Sequence, residues 1–153
     1  MTPPIGRPAP DFELVDQHGA PVRLSSFRGS RNVVLVFFPW AFSSVCTGEL
    51  IALRDDAGSF VNDTTQLLAV SIDSKFVQRR FAEHEGIEFP LLADSWPHGE
   101  VARLYGVFDS DAGAAVRGTF VIDRDGVLRW SVVHGIGEAR DPAEYLRALA
   151  ELR

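Results

Sequence analysis

The chain of 153 residues has one cysteine and no long hydrophobic run. A single cysteine excludes an internal disulfide, and the Cys-x-x-Cys motif of a disulfide reductase is absent. The longest apolar run, residues 33–42, is too short to cross a bilayer and contains a proline. The N-terminal residues lack the charged and apolar regions of a secretion signal. We therefore expect a cytoplasmic protein that does not bind membranes.

Basic residues are also scarce, since 15 lysines and arginines stand against 21 acidic residues and the formal net charge is −6. This balance disfavours a protein that coats nucleic acid. The four histidines are scattered without the spacing of metal ligands, and no glycine-rich phosphate loop is present. The sequence therefore predicts neither a metal site nor a cofactor.

The length and the apolar content of 46% fit one domain over residues 1–153. The continuous run of β-branched and aromatic residues at 33–38 is typical of a strand buried on both faces. Residues 67–72 are predicted as a second buried strand and residues 118–123 as a third strand. Turn residues predict a short hairpin between residues 12 and 24 and another hairpin at Asp125-Gly126. Together with the helices between them, this order predicts an α/β, thioredoxin-like fold, in which helices flank a central mixed β-sheet that is preceded by an N-terminal β-hairpin.

The helices are predicted from apolar spacing and from end signals. One helix starts at about Ser44 and includes Leu50, Leu53, Ala57 and Phe60 on its apolar face. The others are predicted over about residues 76–84, 98–104 and 142–152.

The segment after the first buried strand carries the chemistry. Pro39 ends the strand, and Cys46 falls in the first turn of the following helix. A thiol in that position lies beside unpaired backbone N–H groups and the positive end of the helix dipole, which stabilise the nucleophilic thiolate. Most lone cysteines are buried apolar residues. Here the helix start, the hydroxyl of Ser43 and the nearby proline favour a reactive thiol.

The spacing Pro39-x-x-x-Ser43-x-x-Cys46 resembles the peroxiredoxin signature Pro-x-x-x-(Thr/Ser)-x-x-Cys. The resemblance extends to residues 9–12 and to residues 117–123, which look like the segment that delivers the family's active-site arginine. More narrowly, the chain resembles the one-cysteine alkyl hydroperoxide reductase E group of actinobacteria. The stretches that carry this narrower resemblance are 37–39, 48–50, 89–92, 96–99 and 105–108. The fold expected from it is the peroxiredoxin variant of the thioredoxin-like fold.

The resemblance implies the roles of the main site residues. Cys46 is the peroxidatic nucleophile, which attacks one peroxide oxygen, becomes a sulfenic acid and releases water or an alcohol. Ser43 binds the peroxide by a hydrogen bond, and Arg117 holds the thiolate and the developing charge. Ser43 stands where the family usually has threonine, so the hydroxyl is kept but the methyl group that restricts its rotation is lost.

By the same resemblance, other residues support the site. The backbone N–H groups of Val45 and Cys46 add donors, Pro39 shields the sulfur, and Glu49 orients Arg117. Trp40 is assigned to the pocket wall in preference to a core contact. Arg140 is interpreted as a surface arginine in preference to a salt-bridge partner near the site.

The predicted function is that of an antioxidant thiol-dependent peroxidase that reduces hydrogen peroxide and organic hydroperoxides, with peroxynitrite as a further candidate substrate. A sulfenic acid is resolved by a thiol, and the chain has no second cysteine. The reductant is therefore external. Candidates are a low-molecular-weight thiol such as mycothiol and a mycoredoxin- or thioredoxin-like protein. The resemblance also implies a homodimer.

Two other functions for Cys46 stay open. A cysteine hydrolase or acyltransferase needs a histidine base beside the thiol, and no histidine has a sequence context that suggests this pairing. A non-enzymatic thioredoxin-like module for redox sensing or partner binding needs no acceleration of the thiol's reaction. The rate with peroxide therefore distinguishes this module from a peroxidase.

Overall fold

A computed structural model describes residues 1–152. The strands are β1 (Glu13–Val15), β2 (Pro21–Arg23), β3 (Asn32–Phe37), β4 (Thr65–Ser71), β5 (Leu91–Ala93), β6 (Phe108–Asp109), β7 (Ala114–Ala115), β8 (Arg117–Ile122) and β9 (Leu128–His134). The helices are α1 (Ser44–Asp55), α2 (Ala57–Phe60), α3 (Lys75–Glu85), α4 (Glu100–Leu104) and α5 (Pro142–Ala150), and a 3-10 turn spans Leu24–Phe27.

The central sheet has five strands in the order β5-β4-β3-β8-β9. The first three are parallel, whereas β8 and β9 run antiparallel to their neighbours. Every residue of β4 and β8 is buried, as is β3 after its first residue, because helices and loops cover both faces. One apolar cluster lies on each side of the sheet. The predicted mixed sheet with flanking helices is confirmed.

The predicted N-terminal hairpin is confirmed as β1 and β2, which pair antiparallel from Glu13↔Arg23 to Val15↔Pro21. The helix starts at Ser44 and Pro142 are also as predicted. The prediction of one helix from Ser44 through Phe60 is wrong, because the chain leaves helical geometry at Asp56 and continues as the separate helix α2. Leu50, Leu53 and Phe60 nevertheless all contribute to the same apolar cluster, which explains the uninterrupted spacing.

Strand direction brings the candidate site together. Because β3, β4 and β5 are parallel, their carboxyl ends lie at one edge of the sheet, with Phe37 opposite Val70 and Val70 opposite Leu92. The antiparallel strand β8 begins at this edge with Arg117. Open α/β sheets bind their ligands outside the carboxyl ends of the parallel strands. Within residues 1–152 the longest helix has 12 residues, so no described helix could cross a membrane.

Candidate active site

Cys46 lies in the first turn of α1 and is fully buried. Its Sγ accepts a hydrogen bond from Nη1 of Arg117 at 3.1 Å. Burial alone would also suit an inert core cysteine. The adjacent guanidinium distinguishes this thiol from an inert core cysteine, because it places a positive charge and a hydrogen-bond donor directly against the sulfur.

The side chain of Arg117 is fixed by hydrogen bonds to a backbone carbonyl and to a carboxylate. Arg117 begins β8, and its side chain is only 2% exposed. Nε donates to the carbonyl oxygen of Ile136 at 2.6 Å, while Nη1 also donates to Oε1 of Glu49 at 2.5 Å. These bonds aim the guanidinium at the sulfur. The structure thus brings the predicted site residues Glu49 and Arg117 into direct contact.

Arg140 joins the same cluster, and its interpretation as a surface arginine is wrong. Its side chain is 2% exposed, and its Nε donates to Oε2 of Glu49 at 2.9 Å. Its backbone N–H donates to the same oxygen at 2.7 Å, and Nη2 donates to Oε1 at 3.0 Å. Nη1 bonds the carbonyl oxygen of Gly118 and the hydroxyl of Thr119. The residue lies 91 positions from Glu49, and nothing in its local sequence signals the pairing.

One carboxylate therefore serves two guanidinium groups. Burial opposes ionisation of Glu49, but the hydrogen bonds and charge of Arg140, with the charge of Arg117, outweigh it and lower the pKa of Glu49. The buried cluster of Glu49, Arg117 and Arg140 carries one uncompensated positive charge, which lies against Sγ of Cys46.

The lowered pKa of Glu49 leads to a prediction about acid stability. A carboxyl group whose pKa is lower in the folded state stabilises the protein above its unfolded pKa and loses this effect as the pH falls through the folded pKa. We expect the stability difference between the wild type and Glu49→Gln to shrink below about pH 4.5. Urea unfolding from about pH 7 to about pH 3 measures this difference. Glu13→Gln, which removes an exposed partner of Arg23, is the control, and a Glu49→Gln difference that stays constant with pH would contradict the prediction.

The loop of residues 38–43 connects β3 to α1 and contains three predicted site residues. Pro39 is buried, and Trp40 and Ser43 are half-buried. The Ser43 hydroxyl donates to the carbonyl oxygen of Trp40 at 2.9 Å and makes no bond to a backbone N–H of α1. The structure thus places Ser43 beside the cysteine helix with its proton directed into the loop.

The backbone at the start of α1 offers donors. Among the bonds of residues 1–152, none runs from the backbone N–H of Val45 or Cys46 to a protein acceptor. The first N–H groups of a helix have no partner within the helix and can bind an oxygen of a ligand. Among residues 1–152, no cluster of three or more histidine, cysteine or carboxylate side chains could hold a metal ion.

Comparison with known proteins identifies the family. Residues 5–131 match the AhpC/TSA family. The chain belongs to this peroxiredoxin family. The peroxiredoxin is 47% identical to alkyl hydroperoxide reductase E of Mycobacterium tuberculosis strain H37Rv over 148 residues, which cover 97% of each chain. This match confirms the resemblance to the alkyl hydroperoxide reductase E group.

Solved structures give the same result for the fold. The peroxiredoxin superposes on peroxidoxin BcpB from Mycobacterium tuberculosis with a TM-score of 0.85, 34% identity and 97% coverage of each chain. For Enterococcus faecalis AhpC the TM-score is 0.86 at 29% identity, over 96% of this chain and 90% of that one. The predicted peroxiredoxin variant of the thioredoxin-like fold is confirmed. Membership of this family supports a thiol-dependent peroxidase activity.

Proposed function

We propose that this peroxiredoxin reduces hydrogen peroxide and organic hydroperoxides by a one-cysteine mechanism at Cys46, with peroxynitrite as a further candidate substrate. The observation that carries the proposal is the contact between Nη1 of Arg117 and Sγ of Cys46 at 3.1 Å. It lies inside a buried cluster that has one positive charge in excess. The non-enzymatic module is not favoured, because the chain matches the AhpC/TSA family and the relative reported above is named as a hydroperoxide reductase.

The reaction is a displacement on oxygen. The thiolate of Cys46 attacks one peroxide oxygen, the O–O bond breaks, and sulfur is oxidised by two electrons to a sulfenic acid. The leaving oxygen carries the negative charge away and takes up a proton, so that water or an alcohol is released. Arg117 and the N–H groups of Val45 and Cys46 would donate to the oxygens while this charge moves.

Ser43 would contribute as an acceptor. A hydroxyl has one proton and two lone pairs, and the Ser43 proton is already donated to the carbonyl oxygen of Trp40. The lone pairs therefore remain for a ligand, and hydrogen peroxide and organic hydroperoxides both carry an O–H that can donate to them. Pro39 and Trp40 would shield the sulfur and form the pocket wall.

Thiolate formation accounts for only a small part of the proposed acceleration. Complete ionisation of an ordinary thiol raises the nucleophile concentration only about tenfold near neutral pH. A more acidic thiol is also intrinsically less nucleophilic. Donors aimed at developing charge are each worth roughly 10²–10³-fold. We therefore assign most of the rate to Arg117 and to the backbone donors.

Recycling would need an external thiol. Cys46 is the chain's one cysteine, so the sulfenic acid has no resolving partner within the chain. We propose that reduction takes place in the cytoplasm through a low-molecular-weight thiol such as mycothiol, or through a mycoredoxin- or thioredoxin-like protein. No cofactor or metal is proposed.

The stoichiometry tests this mechanism. Without added thiol, one equivalent of hydrogen peroxide should convert the reduced protein to the sulfenic acid, because this acid holds one two-electron oxidation. With mycothiol and a mycoredoxin the protein should turn over, and excess peroxide without reductant should give the sulfinic acid. Peroxide assays and intact-protein mass spectrometry measure these outcomes, with Cys46→Ser as the inactive control. Turnover by Cys46→Ser, or a stable disulfide between two chains formed with about half an equivalent of peroxide per chain, would contradict the proposal.

We also propose that the protein forms a homodimer through the edge of the sheet that carries the site. Exposed aromatic side chains follow each of the three parallel strands: Phe42 after β3, Phe76 after β4 and Trp96 after β5, exposed by 50%, 74% and 85%. Aromatic residues are enriched in the cores of protein interfaces.

Sedimentation velocity measures the assembly. Phe76→Ser combined with Trp96→Ser should shift the protein from dimer to monomer. Val133→Ser, an exposed apolar position on β9, should leave the dimer intact. A wild-type monomer, or an unchanged dimer in the double variant, would contradict this interface.

A further inference from the structure

A second hydrogen-bond chain reaches the loop of residues 38–43 from the neighbouring strand. The backbone N–H of Ala41 donates to Oδ2 of Asp73 at 2.8 Å. Asp73 lies between β4 and α3, and the hydroxyl of Ser71 donates to the same oxygen at 2.6 Å. This chain uses none of the residues of the Arg117 cluster.

The chain is anchored in the core. Ser71 ends β4 and is 1% exposed, and Gln78 of α3 is fully buried. Nε2 of Gln78 donates to the hydroxyl of Ser71 at 2.7 Å and to the carbonyl oxygen of Leu92 at 3.3 Å. The carboxylate of Asp73 is therefore held by buried side chains that are themselves fixed by α3 and β5. This support fixes the position of the oxygen that accepts from Ala41.

The loop needs such support because its backbone is strained. Phe42 has a φ of 68°, a conformation that residues with a side chain disfavour. Strained backbone persists only where the surroundings over-determine it. On one side, the Phe42 ring packs against Phe81, with 5.0 Å between ring centroids. On the other side, the residue directly before Phe42 is tied to Asp73.

We propose that Asp73 is a positioning residue for peroxide reduction, acting through the N–H of Ala41 on the loop that bears Ser43. This role rests on the proposed function of Cys46. The Ser43 acceptor and the donors at the start of α1 directly follow the strained residue. Misplacement of a reactive group by about 1 Å can cost roughly a hundredfold in rate. Release of Ala41 would let Phe42 relax and would shift these groups together.

The test compares Asp73→Ala with Asp73→Asn. The alanine variant should lower the second-order rate constant for hydrogen peroxide by at least about tenfold. Asparagine keeps an acceptor oxygen and should restore most of the rate. Alkylation of Cys46 by iodoacetamide in the same proteins measures thiol reactivity in a reaction that needs no donor to a peroxide oxygen. The ratio of the peroxide rate to the alkylation rate should therefore be lower in the alanine variant than in the wild type.

Ser74→Ala is the matched control. Ser74 lies beside Asp73, and its hydroxyl accepts from the N–H of Val77 to cap α3. Its removal should lower the melting temperature and leave both rates unchanged. If Ser74→Ala behaves in this way, a loss of peroxide rate in Asp73→Ala is not explained by a less stable α3.

A measurement on the reduced wild type covers the case in which Asp73→Ala does not fold. The Ala41 amide proton should resonate downfield and exchange slowly in NMR, because it donates to a carboxylate. A fast-exchanging Ala41 amide, or a folded Asp73→Ala with the wild-type peroxide rate, would overturn the role of Asp73 and leave the proposed function of Cys46 unaffected. A wild type no faster than free cysteine would contradict the proposed function, and with it this role.

Discussion

Arg117→Ala should slow the reaction of Cys46 with hydrogen peroxide by roughly 10²–10³-fold, as expected for the loss of a donor aimed at developing charge. The variant removes the guanidinium that lies 3.1 Å from Sγ and leaves Glu49 paired with Arg140. Alkylation by iodoacetamide should slow by no more than about tenfold, because that reaction depends on the thiolate fraction but needs no donor for a peroxide oxygen. Stopped-flow kinetics with the two reagents measures both effects.

The control for Arg117 is Arg54→Ala. Arg54 lies near the far end of α1, where it bonds the carbonyl oxygen of Glu85 and the carboxylate of Asp55. Arg54→Ala should change neither rate, although it too removes an arginine that bonds a carboxylate of α1. Arg117→Lys keeps a positive charge but not the fork of donors that reaches both Cys46 and Glu49, and it should give an intermediate rate. Equal losses in the peroxide and alkylation rates of Arg117→Ala would contradict the donor role.

Glu49→Gln should lose both stability and activity. The substitution leaves the buried guanidinium groups of Arg117 and Arg140, each 2% exposed, without their shared carboxylate. Breaking a buried ion pair by removing one partner costs about 3–5 kcal/mol. For a chain of this size, that corresponds to a melting temperature lower by roughly 10 °C. The peroxide rate should fall by roughly 10–100-fold because Arg117 loses its orientation.

Glu83→Gln provides the comparison for Glu49. Glu83 pairs with Arg79 on the surface of α3, where both side chains are more than half exposed. Exposed pairs contribute about 0–1 kcal/mol, so this variant should melt within a few degrees of the wild type and keep its rate. Denaturant unfolding and the peroxide rate, measured for both variants, test the difference. A Glu49→Gln protein as stable and as fast as Glu83→Gln would show that the cluster contributes to neither property.

Local sequence determined the parts of the site that lie close together in the chain. The run of residues 33–38 predicted a buried strand, and the spacing from Pro39 to Cys46 predicted a thiol at the start of a helix. Family resemblance added Arg117, which follows from no local pattern because it lies 71 residues from Cys46. The predictions of the strand and of the helix start succeeded because both features have local physical causes.

The contacts that complete the site could not be predicted in this way. Arg140 and Asp73 meet the site only through tertiary contacts, at separations of 91 and 32 residues from Glu49 and Ala41. The direction of the Ser43 proton depends on the fold of its own loop. The break between α1 and α2 was hidden because both helices face the same core cluster. The two-residue strands β6 and β7 are too short to give an alternating pattern.

The most direct test of the central claim is stopped-flow tryptophan fluorescence of the reduced protein mixed with hydrogen peroxide. Cys46→Ser and free cysteine are the controls. We expect a second-order rate constant orders of magnitude above that of free cysteine, and no such phase in Cys46→Ser. A rate equal to that of free cysteine, with Cys46 shown to be reduced and accessible, would contradict the claim that this site is built to reduce peroxides.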